Sequence, residues 1–219
     1  MEPIDAVLFD FHQTLERAPQ PRPWLTSARE QLGRPADADA DHRHGAFLAN
    51  LWVHAHEIDP TARRDLSARA HREVATKTMI DIGGMDAELA GTLYDGLLAQ
   101  WYLFEDVPDV LRELHTQGTH LAVVSNIGLD IRPLLADEEV LDYFEAIVLS
   151  FEIGAVKPDP AIFEYAVKAL GVSPSRTLMV GDSWRDDAGA AQLGIRTLIL
   201  PPTSGPRRGL DAVLRLTAP

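Results

Sequence analysis

The stretch Ala6-Val7-Leu8-Phe9-Asp10-Phe11-His12-Gln13-Thr14-Leu15 decides the reading of the chain. Four apolar residues run without a break into an acid. Continuous rather than alternating apolarity marks a strand buried on both faces, as in a parallel sheet covered by helices. The pattern recurs: Leu121 to Val124 stops at Ser125, and Thr177 to Val180 stops at Gly181 and Asp182. Ala146 to Leu149 and Thr197 to Leu200 are strand-like in length and β-branched content. Between these runs lie helical patterns over Val107 to Gln117, Pro160 to Leu170 and Trp184 to Leu193. Each is closed by a glycine (Gly118, Gly171, Gly194), the residue suited to a left-handed C-terminal position. Strand and helix in alternation predict an open, Rossmann-like α/β sheet with right-handed crossovers.

From Pro19 to Trp101 no strand-like run occurs. Ala, Leu, Arg, Glu and His predominate, and Pro35, Pro60 and Gly83-Gly84 divide the segment into four expected helices. A helical module is therefore inserted after the first strand, entered through Pro19, Pro21 and Pro23 and left through Phe104 to Pro108. The expected organisation is an α/β core of residues 1–18 and 105–219 with a helical cap of residues 19–104. The end is turn-rich from Pro201 to Gly209; the apolar face of Leu210, Val213, Leu214 and Leu216 then suits either docking on the sheet or fraying.

Composition narrows the function. The 219 residues include 20 Lys plus Arg and 33 Asp plus Glu, a formal charge of -13, which disfavours nucleic acid as a partner. Without cysteine there is no disulfide, thiolate nucleophile or Cys zinc site. The apolar run near the start is far too short for a signal or membrane segment, so the expected location is cytoplasmic, with no membrane partner. The sequence is silent on oligomeric state.

In open α/β sheets the ligand crevice lies beyond the carboxyl ends of the strands. Asp10, Ser125, Asn126 and Asp182 would converge there, joined by Lys157 from the loop Gly154-Ala155-Val156-Lys157-Pro158-Asp159. The set suits phosphoryl transfer, with a carboxylate as nucleophile, a hydroxyl and an amide for phosphate oxygens, and an ammonium for developing charge. Carboxylates facing one phosphate repel it unless a cation bridges them, so a divalent metal is implied by the charges.

These residues resemble the four motifs of the haloacid dehalogenase-like hydrolases, in order. They are Val-Leu-Phe-Asp10-Phe-His12-Gln-Thr14-Leu, Val-Val-Ser125-Asn126, Val-Lys157-Pro-Asp-Pro and Val-Gly-Asp182-Ser-Trp-Arg-Asp186-Asp187-Ala-Gly-Ala. The likeness covers about 1–18 and 105–200, and the helical insert falls where the family places its cap. It implies a Mg²⁺-dependent phosphatase acting on a small phosphorylated metabolite. Asp10 would form an aspartyl-phosphate, while Thr14, Ser125, Asn126 and Lys157 would contact phosphate. Asp182 would bind Mg²⁺ together with the Asp10 carboxylate and the backbone carbonyl of His12. Asp186 is favoured to complete the acidic motif, because it gives the family's Asp-x-x-Gly spacing to Gly189; Asp187 is the alternative.

The sequence departs from that pattern at residues 12 and 13. Phosphatases of the family usually carry Asp two residues after the nucleophile, followed by Gly; here His12 and Gln13 stand there. His12 is the candidate proton carrier, since imidazole exchanges protons near neutral pH. Two alternatives stay open: a C–halogen or C–P hydrolase using Asp10, and a catalytically weakened member that binds a ligand or partner. His42, His44, His54 and His56 are spaced in pairs by two, nearly opposite on a helix, and are read as solvated or core side chains. Trp24, Trp52, Trp101 and Tyr102 are read as core or domain-contact aromatics, one or two lining the crevice, and Arg207-Arg208 as surface charge.

Overall fold

The computed structural model describes residues 2–17 and 20–218. Its central sheet contains β1 (Ala6–Phe9), β4 (His120–Ser125), β5 (Ala146–Leu149), β6 (Thr177–Gly181) and β7 (Arg196–Ile199). The order is β5-β4-β1-β6-β7, and every pairing is parallel. Phe9 lies opposite Val123 on one side and Val180 on the other, which brings the ends of β1, β4 and β6 level. The chain fills one side of β1 and then crosses to the other, so the end of β1 is the topological switch point where α/β sheets bind ligands.

Both sheet faces are buried, and their side chains alternate as strand geometry requires. Val7, Phe9, Leu121, Val123, Leu178 and Val180 share a core with α6 (Val107–Thr116) and α10 (Asp211–Thr217). Ala6, Leu8, Ala122, Val124 and Met179 face α9 (Pro160–Leu170) and the turn that follows β6. Helix α9 begins on Asp159, whose carboxylate accepts the Ala161 N–H, has Pro160 in its first turn and ends on left-handed Gly171. The C-terminal segment docks, with Leu210 and Val213 buried.

Among the described residues the insert holds five α-helices, α1 (Pro21–Gln31), α2 (Ala38–Leu48), α3 (Leu51–Ile58), α4 (Ala68–Asp81) and α5 (Ala87–Asp95). The sequence reading of four missed the break at Ala49 and Asn50, where no Pro or Gly marks the turn. Pro21 and Pro23 lie inside the first turn of α1 rather than in a hinge. Pro19 and the expected 18/19 boundary fall outside the described residues. The two crossings between core and insert are themselves paired: β2 (Glu16–Arg17) runs antiparallel to β3 (Tyr102–Leu103). Apolar packing is continuous from the sheet through Phe11, Leu15, Trp101 and Phe104 into Trp24, Met79, Leu89 and Leu93 of the insert.

The insert is also held to the core by polar contacts. Ser150 Oγ, at the start of α8 (Ser150–Ile153), accepts the Ile127 N–H at 2.8 Å and donates to the Asp65 carbonyl in the 3-10 turn Arg63–Leu66. Gly128 lies so close to the Arg64 carbonyl and the His71 side chain that a Cβ there would come within 2.5 Å of both. One further difference concerns the region after β6. The helix expected from Trp184 is a 3-10 segment, Asp187–Leu193, because residues 183–186 are drawn into a turn by two carboxylates. Asp187 accepts the Ser183 N–H at 2.9 Å, and Asp186 accepts the Ser183 hydroxyl at 2.7 Å.

Candidate active site

Asp10 follows β1, and its N–H bonds the Val180 carbonyl of β6, which continues the sheet by one residue. Its carboxylate is buried between two donors: Lys157 Nζ lies 2.6 Å from Oδ1, and Thr14 Oγ1 lies 3.1 Å from Oδ2. Lys157 also donates to Asp187 Oδ1 at 2.7 Å. Burial raises the Asp10 pKa above the usual carboxylate range, with the Lys157 ammonium opposing it. For Lys157 burial favours the neutral amine, but the charges of Asp10 and Asp187 outweigh it and the pKa is raised, so the ammonium is maintained.

Asp182 stands at the open side of this pair. Oxygens of Asp10, Asp182 and Asp187 lie within 4.8 Å of one another, the one cluster of metal-ligating side chains among the described residues. Partial loss of water, then the charges of Asp10 and Asp187, push the Asp182 carboxyl up to about 6. Three acids against one ammonium leave unneutralised negative charge on oxygen donors, which fits a hard divalent cation such as Mg²⁺. Asp187, rather than Asp186, enters the cluster. The Asp-x-x-Gly spacing to Gly189 favours Asp186, whereas the 183–186 turn brings Asp187 inward against Gly181 and leaves Asp186 on Ser183.

The remaining motif residues divide by role. Ser125 Oγ is buried and has no hydrogen-bond partner among the described residues, leaving it free to bond a ligand oxygen. Asn126 does not offer its side chain in that way. Its Nδ2 donates to the Lys157 carbonyl at 2.9 Å and its Oδ1 accepts the Lys157 N–H at 2.7 Å, so the amide seats the lysine loop. Thr14, expected at phosphate, bonds the Asp10 carboxylate directly.

His12 is half-buried, with its ring edge-on to Trp101 and Nδ1 3.0 Å from Glu16 Oε2. Burial disfavours the imidazolium, but the hydrogen bond and charge of Glu16 prevail and raise the pKa above that of an ordinary histidine. Glu16 is itself 1% exposed, and burial raises its pKa while His12 opposes the shift. Asp65, brought over the core by the insert, is pushed up to about 6 by burial, with Arg64 and His12 drawing it down.

Three of these groups escaped the sequence reading. Glu16 and Asp65 carry no motif, and the one available signal for Glu16 was its position four residues after His12. Arg208, read as surface charge, is 5% exposed. Its guanidinium donates to the carbonyls of Gln13, Pro201 and Leu200. The histidines of the insert form no metal cluster among the described residues; His54 pairs with Glu57 and stacks on Phe47.

A buried carboxylate gripped by an ammonium at the switch point of a parallel sheet, with a helical insert packed against the same core, is the fold and site of an α/β hydrolase. A family model described as haloacid dehalogenase-like hydrolase matches residues 4–194, and the chain belongs to that family. It is 28% identical over 203 residues to the human haloacid dehalogenase-like hydrolase domain-containing protein 3, covering 80% of this chain and 79% of that protein. It is likewise 28% identical over 211 residues to ribulose-1,5-bisphosphate 5-phosphatase of Halopiger xanaduensis, covering 90% of this chain and 85% of the relative. The crystal structure of the HAD-hydrolase YfnB of Bacillus subtilis bound to magnesium superposes over 100% of both chains with TM-score 0.73 at 20% identity, a likeness of fold. Among the described residues no helix is long and apolar enough to cross a membrane.

Proposed function

We propose that the chain is a Mg²⁺-dependent phosphatase that hydrolyses a small phosphorylated metabolite through an aspartyl-phosphate on Asp10, with residues 19–104 as the cap. The observation that carries this reading is the Asp10 carboxylate fixed between Lys157 and Thr14, beside the unpartnered hydroxyl of Ser125. An Asp10 oxygen attacks phosphorus and the bond to the leaving oxygen breaks; imidazolium at His12 gives that oxygen a proton. Neutral His12 then takes a proton from water as the water oxygen attacks phosphorus, which frees phosphate and regenerates the Asp10 carboxylate. Lys157 and Ser125 hold the phosphoryl oxygens throughout, and Asn126 keeps Lys157 in place. Asp10, Asp182 and the His12 carbonyl, with Asp187 beside them, would hold Mg²⁺, whose role is to neutralise charge on the transferring group. The same nucleophile suits a C–halogen bond, but that reaction gains nothing from two further carboxylates around Asp10.

A cavity of about 160 Å³ opens between Gln13 and the insert, lined by Trp24, Leu48, Asn50, Trp52 and Leu97 among others. None of its lining residues is charged. A wall of indoles, aliphatics and amides suits an uncharged leaving group better than one bearing a carboxylate or second phosphate.

The test is turnover of a panel of phosphate esters with and without Mg²⁺, a haloacid control, and intact-mass detection of phosphoprotein. Wild type should release phosphate and lose activity in EDTA, and Asp10→Asn should form no covalent adduct. Phosphate release by Asp10→Asn at the wild-type rate overturns the mechanism.

A further inference from the structure

The turn that follows the nucleophile is unusual in its closure. The N–H groups of Thr14, Leu15 and Glu16 all point to the Phe11 carbonyl, at 3.3, 2.9 and 2.9 Å. At the apex Gln13 adopts φ 56°, the left-handed region that a residue with a Cβ disfavours. This turn sets two contacts at once, each spanning four residues: Thr14 Oγ1 on the Asp10 carboxylate and Glu16 on His12 Nδ1. Whatever holds Gln13 therefore holds both the nucleophile and the ring beside it.

Arg208 occupies that place from the far end of the chain. Its Nε donates to the Gln13 carbonyl, Nη1 to the Pro201 carbonyl at 2.7 Å and Nη2 to the Leu200 carbonyl at 3.3 Å. The guanidinium also lies over the Phe104 ring, 5.8 Å from its centre. The arginine backbone is anchored in turn. Asp106, buried at the start of α6, accepts the N–H groups of Arg208, Gly209 and Leu210 at 2.7, 2.7 and 3.0 Å. A planar fork with several donors satisfies three carbonyls that a single-point ammonium could not serve together.

We propose that Arg208 is a positioning residue: strapped down by Asp106, it holds Gln13 in its left-handed conformation and so aligns Asp10 through Thr14 and His12 through Glu16. The alignment is a property of the loop itself, while its effect on turnover rests on the phosphatase reading, and the two are measured separately.

The experiment compares wild type with Arg208→Gln and Arg208→Lys by amide hydrogen exchange and by steady-state hydrolysis of p-nitrophenyl phosphate. Expected is a loss of protection of about tenfold or more at Leu15 and Glu16 in Arg208→Gln, with β4 and β6 unchanged and Arg208→Lys intermediate. Turnover should fall about 10- to 100-fold in kcat, since misplacing a reacting group by about 1 Å costs that much, with KM within about twofold. If Arg208→Gln does not fold, Arg208→Lys and Asp106→Asn, which loosens the strap without touching the loop, must show the same local signature. Wild-type protection at Leu15 and Glu16, or an equal loss across the whole sheet, overturns the proposal. The exchange result decides it even if no phosphate ester is turned over.

Discussion

His12 Nδ1 and Glu16 Oε2 face each other at 3.0 Å across the turn after the nucleophile, with the carboxylate buried and the imidazole half-buried. A buried acid beside a histidine keeps the ring protonated to higher pH, which lets it serve as an acid in neutral solution. His12→Ala should lower kcat about 100-fold, the usual contribution of a positioned acid or base. In Glu16→Gln the charge that raises the His12 pKa is gone, so the alkaline limb of the pH–rate profile should move to lower pH. A limb that stays in place removes Glu16 from the proton chemistry.

Stability should carry the mark of a different histidine. His71 is buried in α4, bonded through Nδ1 to the Tyr94 hydroxyl at 2.8 Å, and burial brings its pKa down to about 3. The unfolded chain binds this proton near pH 6.5 and the folded chain does not. The stabilisation is therefore complete above pH 6.5 and is lost as pH falls toward 3, by about 1.4 kcal/mol per unit. Raised carboxyls such as Asp65 and Asp182 act in the opposite sense over the same range, so the His71 contribution is read as a difference: in chemical denaturation between pH 7.5 and 5, wild type should lose more stability on acidification than His71→Phe, by up to about 1.4 kcal/mol per unit below pH 6.5.

Gly181 is where the inward position of Asp187 can be checked by packing alone. A Cβ on Gly181 would lie 2.0 Å from Asp187 Oδ2. Gly181→Ala must push that carboxylate off Lys157, at a cost of about 1–3 kcal/mol in unfolding free energy, typical of overpacking. Gly181→Ala of wild-type stability and activity would place the Asp187 side chain elsewhere.

The uncharged cavity beside Gln13 makes substrate preference measurable. Trp52→Ala should lower kcat/KM about tenfold for a bulky uncharged phosphate ester, the effect of removing apolar contact, and leave acetyl phosphate hydrolysis nearly unchanged. Equal effects on both would show that the indole serves folding rather than selection.

What could be read beforehand follows from how local each signal is. Strands buried on both faces appear as unbroken apolar runs, so Asp10, Ser125 and Asp182 were visible as the polar residues that end them. Their convergence needed no more than the parallel order of the sheet. The choice of Asp187 over Asp186 was not legible, because two adjacent acids differ by one step in spacing and the turn closed on Ser183 decides which of them faces Asp10. Arg208 was out of reach for another reason: its partner Gln13 lies 195 residues away, and a basic pair in a turn-rich segment looks like solvated charge. Asn126 directly follows β4, but the commitment of its amide to the Lys157 backbone depends on a loop brought alongside by tertiary structure.

The antiparallel pairing of Glu16–Arg17 with Tyr102–Leu103 has a consequence for how such a protein can diversify. The chain leaves and re-enters the catalytic body through adjacent strands, so the endpoints of everything between them are already neighbours. Changes in the length of that segment therefore need not disturb the register of the central sheet, provided the apolar contact from Phe11 and Leu15 to Trp24 and Leu89 is kept. Glu16 sits on the catalytic side of that junction and bonds His12 from there. A transplant of the helices at the ribbon would therefore keep Glu16 on His12, but it would also have to supply the groups that Trp101 and Asp65 bring to that ring from the inserted side.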